Sequence, residues 1–194
     1  MAARAGSGDG TEPAEGWRGP ARAALRAVDR LNAALRALVG LLLGIVAAAV
    51  LGQVLVRFVL TAFGLNVSAP WTEELARYAL IWMVFLGAGV GCRKAQLIAL
   101  EVVTQALPGR WGQALRYLSL AACLGFFALL IQVGLPFVEL GRTETSPVTQ
   151  IPKSRVYWAM PVGAAAMILN TLALIAEAAV ERRDIRAIGG VTGD

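Results

Sequence analysis

Glu73, Glu74 and Arg77 fall within five consecutive positions of the stretch WTEELARYALIWMVFLGAGVGCRK, which then runs uncharged from Tyr78 to Cys92. On a helix, Arg77 stands four residues after Glu73 and three after Glu74, separations at which opposite charges pair. Both acids lie in the first turn or so, where the helix dipole favours negative charge. Two roles are open to these groups: an intrahelical pair with dipole compensation, or a charged cluster that orders a contact with another subunit. Reaction chemistry finds less material. The chain has no histidine, which excludes histidine-ligated haem and histidine-dependent triads. Its two cysteines, Cys92 and Cys123, are isolated and make no zinc site. No catalytic residue, metal or cofactor is expected, and the chain does not read as an enzyme.

The composition says what must hold these residues in place. The chain is 57% hydrophobic and only 16% charged, too apolar for an ordinary soluble domain. Apolar runs recur at roughly 37–60, 75–92, 115–138 and 157–179, each long enough to cross a hydrocarbon core of about 30 Å. The expected fold is an all-α integral membrane protein with four transmembrane helices and no second folded domain. The net charge of +5 does not point to nucleic acid, because the basic residues sit beside the spans. Arg4, Arg18, Arg22, Arg26, Arg30 and Arg36 precede the first span; Arg93, Lys94, Arg110 and Arg116 lie between the second and third; Arg182, Arg183 and Arg186 follow the fourth. The connection between spans one and two has no Lys or Arg. By the positive-inside rule both termini are cytoplasmic, and a disulfide between Cys92 on the reducing side and Cys123 inside a span is not expected.

Residues 1–16 read as a disordered cytoplasmic tail, 17–36 as a basic amphipathic segment, 37–181 as the four-span membrane domain and 182–194 as a cytoplasmic C-terminal tail. In the basic segment Arg22, Arg26 and Arg30 recur every fourth residue while Leu25, Val28, Leu31 and Leu35 share another face, the pattern of a helix lying on the cytoplasmic leaflet. QLIALEVVTQALP, between spans two and three, is too short and too polar to span and predicts an interfacial amphipathic helix on the same side. Gly40 and Gly44 in span one, and Gly87 and Gly91 in span two, have the spacing that lets helices approach closely. Trp71, Tyr78, Tyr157 and Trp158 suit the outer interface, and Arg57 can snorkel to it. The deep polar positions are Gln53, Ser119, Gln132, Asn170 and Thr171. Amides and hydroxyls there serve interhelical hydrogen bonds more readily than ion coupling, which calls for ionisable groups. The charges gather at span ends, so the sequence reads as a membrane scaffold rather than a self-sufficient machine.

Two separated motifs add a resemblance. Trp71, Glu73, Glu74, Arg77, Tyr78, Trp82 and Gly87-Ala88 resemble the second-helix signature of the small membrane subunit of TRAP (tripartite ATP-independent periplasmic) transporters, the DctQ-type family. SPVTQIPKSRVYWAMPVG is similar to that family's last loop and fourth-helix start, through Ser146-Pro147, Ile151-Pro152, Tyr157 and Pro161-Val162-Gly163. The resemblance covers roughly residues 35 to 180. It departs after span two, where the family often has His-Ile-x-Val-Asp and this chain has Leu97-Ile98-Ala99-Leu100-Glu101. The acid is kept and the histidine is lost.

The resemblance implies a bacterial inner-membrane symport system with three kinds of component. A large DctM-type membrane subunit would hold the substrate and sodium sites, a periplasmic substrate-binding protein would deliver a carboxylate-bearing organic acid, and this chain would be the auxiliary wall. Its candidate subunit-interface residues are Trp71, Glu73, Glu74, Arg77, Gly87, Gly91, Pro161 and Gly163. The rival readings are a stand-alone four-span exporter, which needs a membrane-embedded carboxylate, and the membrane anchor subunit of an enzyme complex.

Overall fold

The computed structural model describes residues 18–60, 62–63, 70–93 and 109–181. The expected tails at 1–16 and 182–194, the interfacial helix after span two and the departure at 97–101 lie outside them. Helix α1 (Arg18–Leu55) continues into a π-helical turn, Val56–Leu60. It is followed by α2 (Pro70–Arg93), α3 (Gly109–Thr143), the short α4 (Ser154–Tyr157) and α5 (Ala159–Glu181). Among the described residues four segments are long and apolar enough to cross a membrane: Gly19–Val59, Pro70–Arg93, Trp111–Thr143 and Ser154–Val180. The fold is therefore the expected all-α, four-span membrane architecture.

The helices run past the apolar runs that mark them. α1 has 38 residues and is about 57 Å long, so the basic segment from Arg18 and the first span form one rod. Its Ala, Leu and Arg residues are strong helix formers, and no proline interrupts it after Pro20. Hydropathy marks where lipid begins; it does not mark where a helix must stop. α2 opens on Pro70, whose fixed φ and missing N–H suit a first helical position.

In space the long helices stand in the order α1, α2, α5, α3. α1 packs on α2 and more lightly on α5, α2 packs on α5, and α5 packs on α3 and α4. Among the described residues α1 and α3 do not touch, so the spans form an open row rather than a closed ring. The α2–α5 seam is the closest. A Cβ placed on Gly163 would lie 2.6 Å from the Phe85 Cβ and 2.9 Å from its carbonyl oxygen, so only glycine fits there. One turn along, a Cβ on Gly89 would meet that of Ala166 at 3.0 Å. The α3–α5 seam is filled by Leu120, Leu174 and Ala178 with Ile175 beside them. Nearer the Tyr157 end, Pro161 packs over Gly134, and the Phe137 and Tyr157 rings meet edge to face at 6.3 Å.

Candidate functional site

Polar side chains hold this row together at three levels. Glu73 and Arg93 are separated by 20 residues of one helix, a rise of about 30 Å, the thickness of a hydrocarbon core. The two ends of α2 therefore stand at opposite headgroup levels.

At the first end the Glu73–Glu74–Arg77 triplet divides. Arg77 Nη2 donates to Glu73 Oε1 at 2.9 Å on the exposed surface, the intrahelical pair that the spacing implied. Glu74 is buried and faces elsewhere. Its Oε1 accepts from the Tyr78 hydroxyl at 2.6 Å, and its Oε2 accepts from the Thr149 backbone N–H at 2.9 Å. One carboxylate thus ties the α3–α4 loop to α2. The loop is itself a tight turn, with an isolated antiparallel bridge between Thr145 and Pro152. Ser146 N–H donates to the Ile151 carbonyl and Lys153 N–H to that of Glu144, each at 2.9 Å. Gln150 takes a left-handed φ of 56° at the bend. Lys153 Nζ closes the loop base on Glu144 Oε2 at 3.0 Å, and the hydrogen bond to that carboxylate holds the Lys153 ammonium above its usual pKa. A cavity of about 450 Å³ lies between the start of α2 and this loop, lined by Glu73, Arg77, Tyr78, Pro147, Lys153 and Tyr157 among others.

Between these ends, and only about 6 Å along α2 from Arg93, Asn32 of α1 and Asn170 of α5 form a reciprocal amide pair. Asn32 Nδ2 donates to Asn170 Oδ1 at 2.6 Å, and Asn170 Nδ2 donates to Asn32 Oδ1 at 2.9 Å. Asn170 Nδ2 also reaches the Gly89 carbonyl of α2 at 2.8 Å. Both amides are 1% exposed, so three helices are joined where water does not compete. The deep hydroxyls bond within their own helices: Thr171 to the Met167 carbonyl and Ser119 to the Arg116 carbonyl, each at 2.8 Å.

At the far end Arg93 of α2 bridges its two neighbours. Its Nε donates to Asp29 Oδ1 of α1 at 3.0 Å, and its Nη1 donates to Glu177 Oε2 of α5. A shallower cavity of about 290 Å³ adjoins this cluster, walled by Arg22, Leu25 and Arg26. On α3, Arg116 is 2% exposed, and its Nε has no partner among the described residues.

A family model described as "Tripartite ATP-independent periplasmic transporters, DctQ component" matches residues 46–181, well over half of the chain, from the last turns of α1 to the end of α5. The chain belongs to the DctQ family. It is thus a membrane transport component and not an enzyme. It is similar to the "Isethionate TRAP transporter permease protein DctMQ" of Oleidesulfovibrio alaskensis, 29% identical over 108 residues that make up 54% of this chain and 17% of that protein. It is also similar to a "Putative TRAP transporter small permease protein" of Haemophilus influenzae, 29% identical over 102 residues, 52% of this chain and 63% of the relative. A third relative is the "C4-dicarboxylate TRAP transporter small permease protein DctQ" of Rhodobacter capsulatus, 28% identical over 109 residues, 55% of this chain and 48% of the relative. The chain thus spans less than two thirds of the length of each of these relatives.

Within this DctQ-type chain the residues singled out from sequence have distinct places. Trp71, Glu73 and Arg77 are exposed at one end of α2, whereas Glu74 is buried against the loop. Pro161 and Gly163 are buried within the chain, the first against α3 and the second against α2. Among the described residues a Cβ on Gly91, Gly40 or Gly44 would meet nothing within 4 Å, and one on Gly87 would meet only Val39, at 3.9 Å. Close packing falls instead on Gly89, between the two glycines of the GxxxG spacing. Sequence reasoning missed Asn32, Asp29 and the bridging role of Arg93. Asp29 carried a usable signal as the one acid in an otherwise basic segment, and Asn32 as an amide one helical turn from the apolar Val28 and Leu35.

Proposed function

We propose that this chain is the small auxiliary subunit of a TRAP-type secondary transporter. A large membrane subunit carries the substrate and sodium sites, and a periplasmic binding protein delivers a carboxylate-bearing organic acid. This chain supplies a rigid wall against which the large subunit works. The observation that carries the reading is the use made of the buried polar groups. Asn32, Asn170 and the Gly89 carbonyl bond to one another, Glu74 holds a loop, and Arg93 joins α1 to α5. Groups occupied in cross-linking helices fit a scaffold; a solute path needs ionisable groups turned toward a passage. The open row of helices supports the same role, since a row has broad faces to offer a partner. The fused name of the DctMQ relative, a permease, agrees with a small and a large component acting as one unit.

The arginine and lysine asymmetry supports an inner-membrane orientation with both termini cytoplasmic, the Arg93 end inside and the Glu74 end outside. The exposed Glu73–Arg77 pair, Trp71 and the Glu74-bound loop then face the periplasm, where they can help dock the binding protein. Affinity purification of the tagged chain from its native membranes tests the subunit role. The expected result is a stable complex with a much larger multi-span protein. Recovery of the chain alone, able to bind a cationic solute, would favour a self-contained exporter instead.

A further inference from the structure

Two sides of α3 differ in a way that its own chain does not use. At 3.6 residues per turn, Leu120, Phe127 and Val138 share one buried side, packed toward α5. About a third of a turn round from it, beside the outward-facing Leu118 and Leu129, a stripe carries Ala121, Gly125, Ala128, Gln132 and Pro136, all exposed. Gln132 stands nine residues before Gly141, which packs against the interface anchor Tyr157. That is about 13 Å along the helix, near the middle of a hydrocarbon core. Its side-chain amide has no hydrogen-bond partner among the described residues. Pro136 lies inside the helix and has no N–H to give the Gln132 carbonyl four residues earlier. An amide and a main-chain carbonyl are therefore presented together, at mid-depth, on an exposed side of the helix.

Lipid tails cannot satisfy these groups, and within membranes such breaks in a helix are tolerated where a neighbouring helix re-pairs them. We propose that the α3 face around Gln132 is the seam on which the large membrane subunit docks, through a transmembrane helix that carries a side-chain hydrogen-bond donor at the depth of Gln132. This rests on the subunit role proposed above and adds where the contact lies and what chemistry it uses. The depth requires a membrane-embedded occupant and rules out the soluble binding protein. The small residues Ala121, Gly125 and Ala128 leave room for that helix to come close, and a Cβ on Gly125 would meet nothing within 4 Å. The outer edge of α1 also has open glycines, but its mid-span amide, Gln53, is half-buried within the chain.

The test places a photo-crosslinking residue at Ala128 or, as a control, at the exposed Leu51 of α1 in the full chain co-expressed with its large subunit. It is paired with Gln132→Leu and Gln132→Asn. Capture of the large subunit from position 128 and not from 51 is expected. Gln132→Leu should weaken co-assembly about three- to twentyfold, the range that one interhelical hydrogen bond carries in a bilayer. Gln132→Asn should recover part of that loss, and the thermal unfolding of the isolated chain should not move, because the side chain bonds to nothing among the described residues. Failure of the wild-type chain to co-purify with any large subunit would overturn the subunit role itself. Normal co-purification with capture from 51 alone, capture of a second copy of this chain from 128, or an unchanged affinity of the Gln132→Leu variant would overturn the α3 seam and leave the subunit role standing.

Discussion

Asn170 accepts one hydrogen bond and donates two, to side chains or carbonyls on two other helices. Replacing it with leucine leaves the buried Asn32 Oδ1 without its Asn170 donor, while Asn32 Nδ2 keeps only the Val28 carbonyl at 3.0 Å. Asn170→Leu should therefore destabilise the chain by about 1–3 kcal/mol, read by thermal or denaturant unfolding in detergent. The double variant with Asn32→Leu should lose less than the sum of the singles, because both remove the same pair; strict additivity would show that the amides do not act as a unit. The adjacent glutamates give a second contrast. Glu74→Ala frees the Thr149 N–H and should raise hydrogen exchange across residues 144–153. Glu73→Ala removes an exposed i,i+4 pair of about 0.3–0.5 kcal/mol and should leave that exchange unchanged. Equal effects would contradict the division of labour between them. Lys153 adds a pH sign. Its pKa is raised by Glu144, so the pair's contribution is complete below the ordinary lysine pKa and fades only as pH rises through the raised value. The loop base should stay closed through neutral pH, and loss of the Lys153–Glu144 pairing there would contradict this assignment.

At the scale of helices, the number and approximate place of the spans were legible from hydropathy alone, because lipid demands about 20 apolar residues wherever a helix crosses. The Glu73–Arg77 pair was legible too, since both partners lie on one helix at a fixed spacing. Which small residues pack was not. The GxxxG spacing singles out Gly87 and Gly91, yet the close approach to α5 falls on Gly89, because packing depends on how the helix is rotated and on a neighbour far along the chain. Asn32 and Asn170 are 138 residues apart, and no local pattern pairs them. The seam gives its own prediction. Gly163→Ala forces a methyl into Phe85 and should cost about 1–3 kcal/mol as overpacking, with α2–α5 contact loosened. Gly91→Ala enters open space and should be neutral or slightly stabilising, by up to about 1 kcal/mol from helix propensity. The reverse order in unfolding midpoints would mean that α2 faces α5 with its other side.

For the whole molecule, orientation comes first. Single cysteines placed at Asn66 and Thr145, with Cys92 and Cys123 replaced, should react with an impermeant label in spheroplasts, and labelling only after permeabilisation would invert the bundle. The central claim is that the chain holds a partner and moves no solute itself. Its most direct measurement is uptake by liposomes under a sodium gradient, with each component supplied or omitted. The chain alone should give no uptake of any organic acid, the three components together should transport, and leaving out only this chain should abolish or strongly reduce the signal. Robust sodium-driven uptake by the purified chain alone would contradict the account and send the search for a coupling site to Gln53, Gln132 and Asn170.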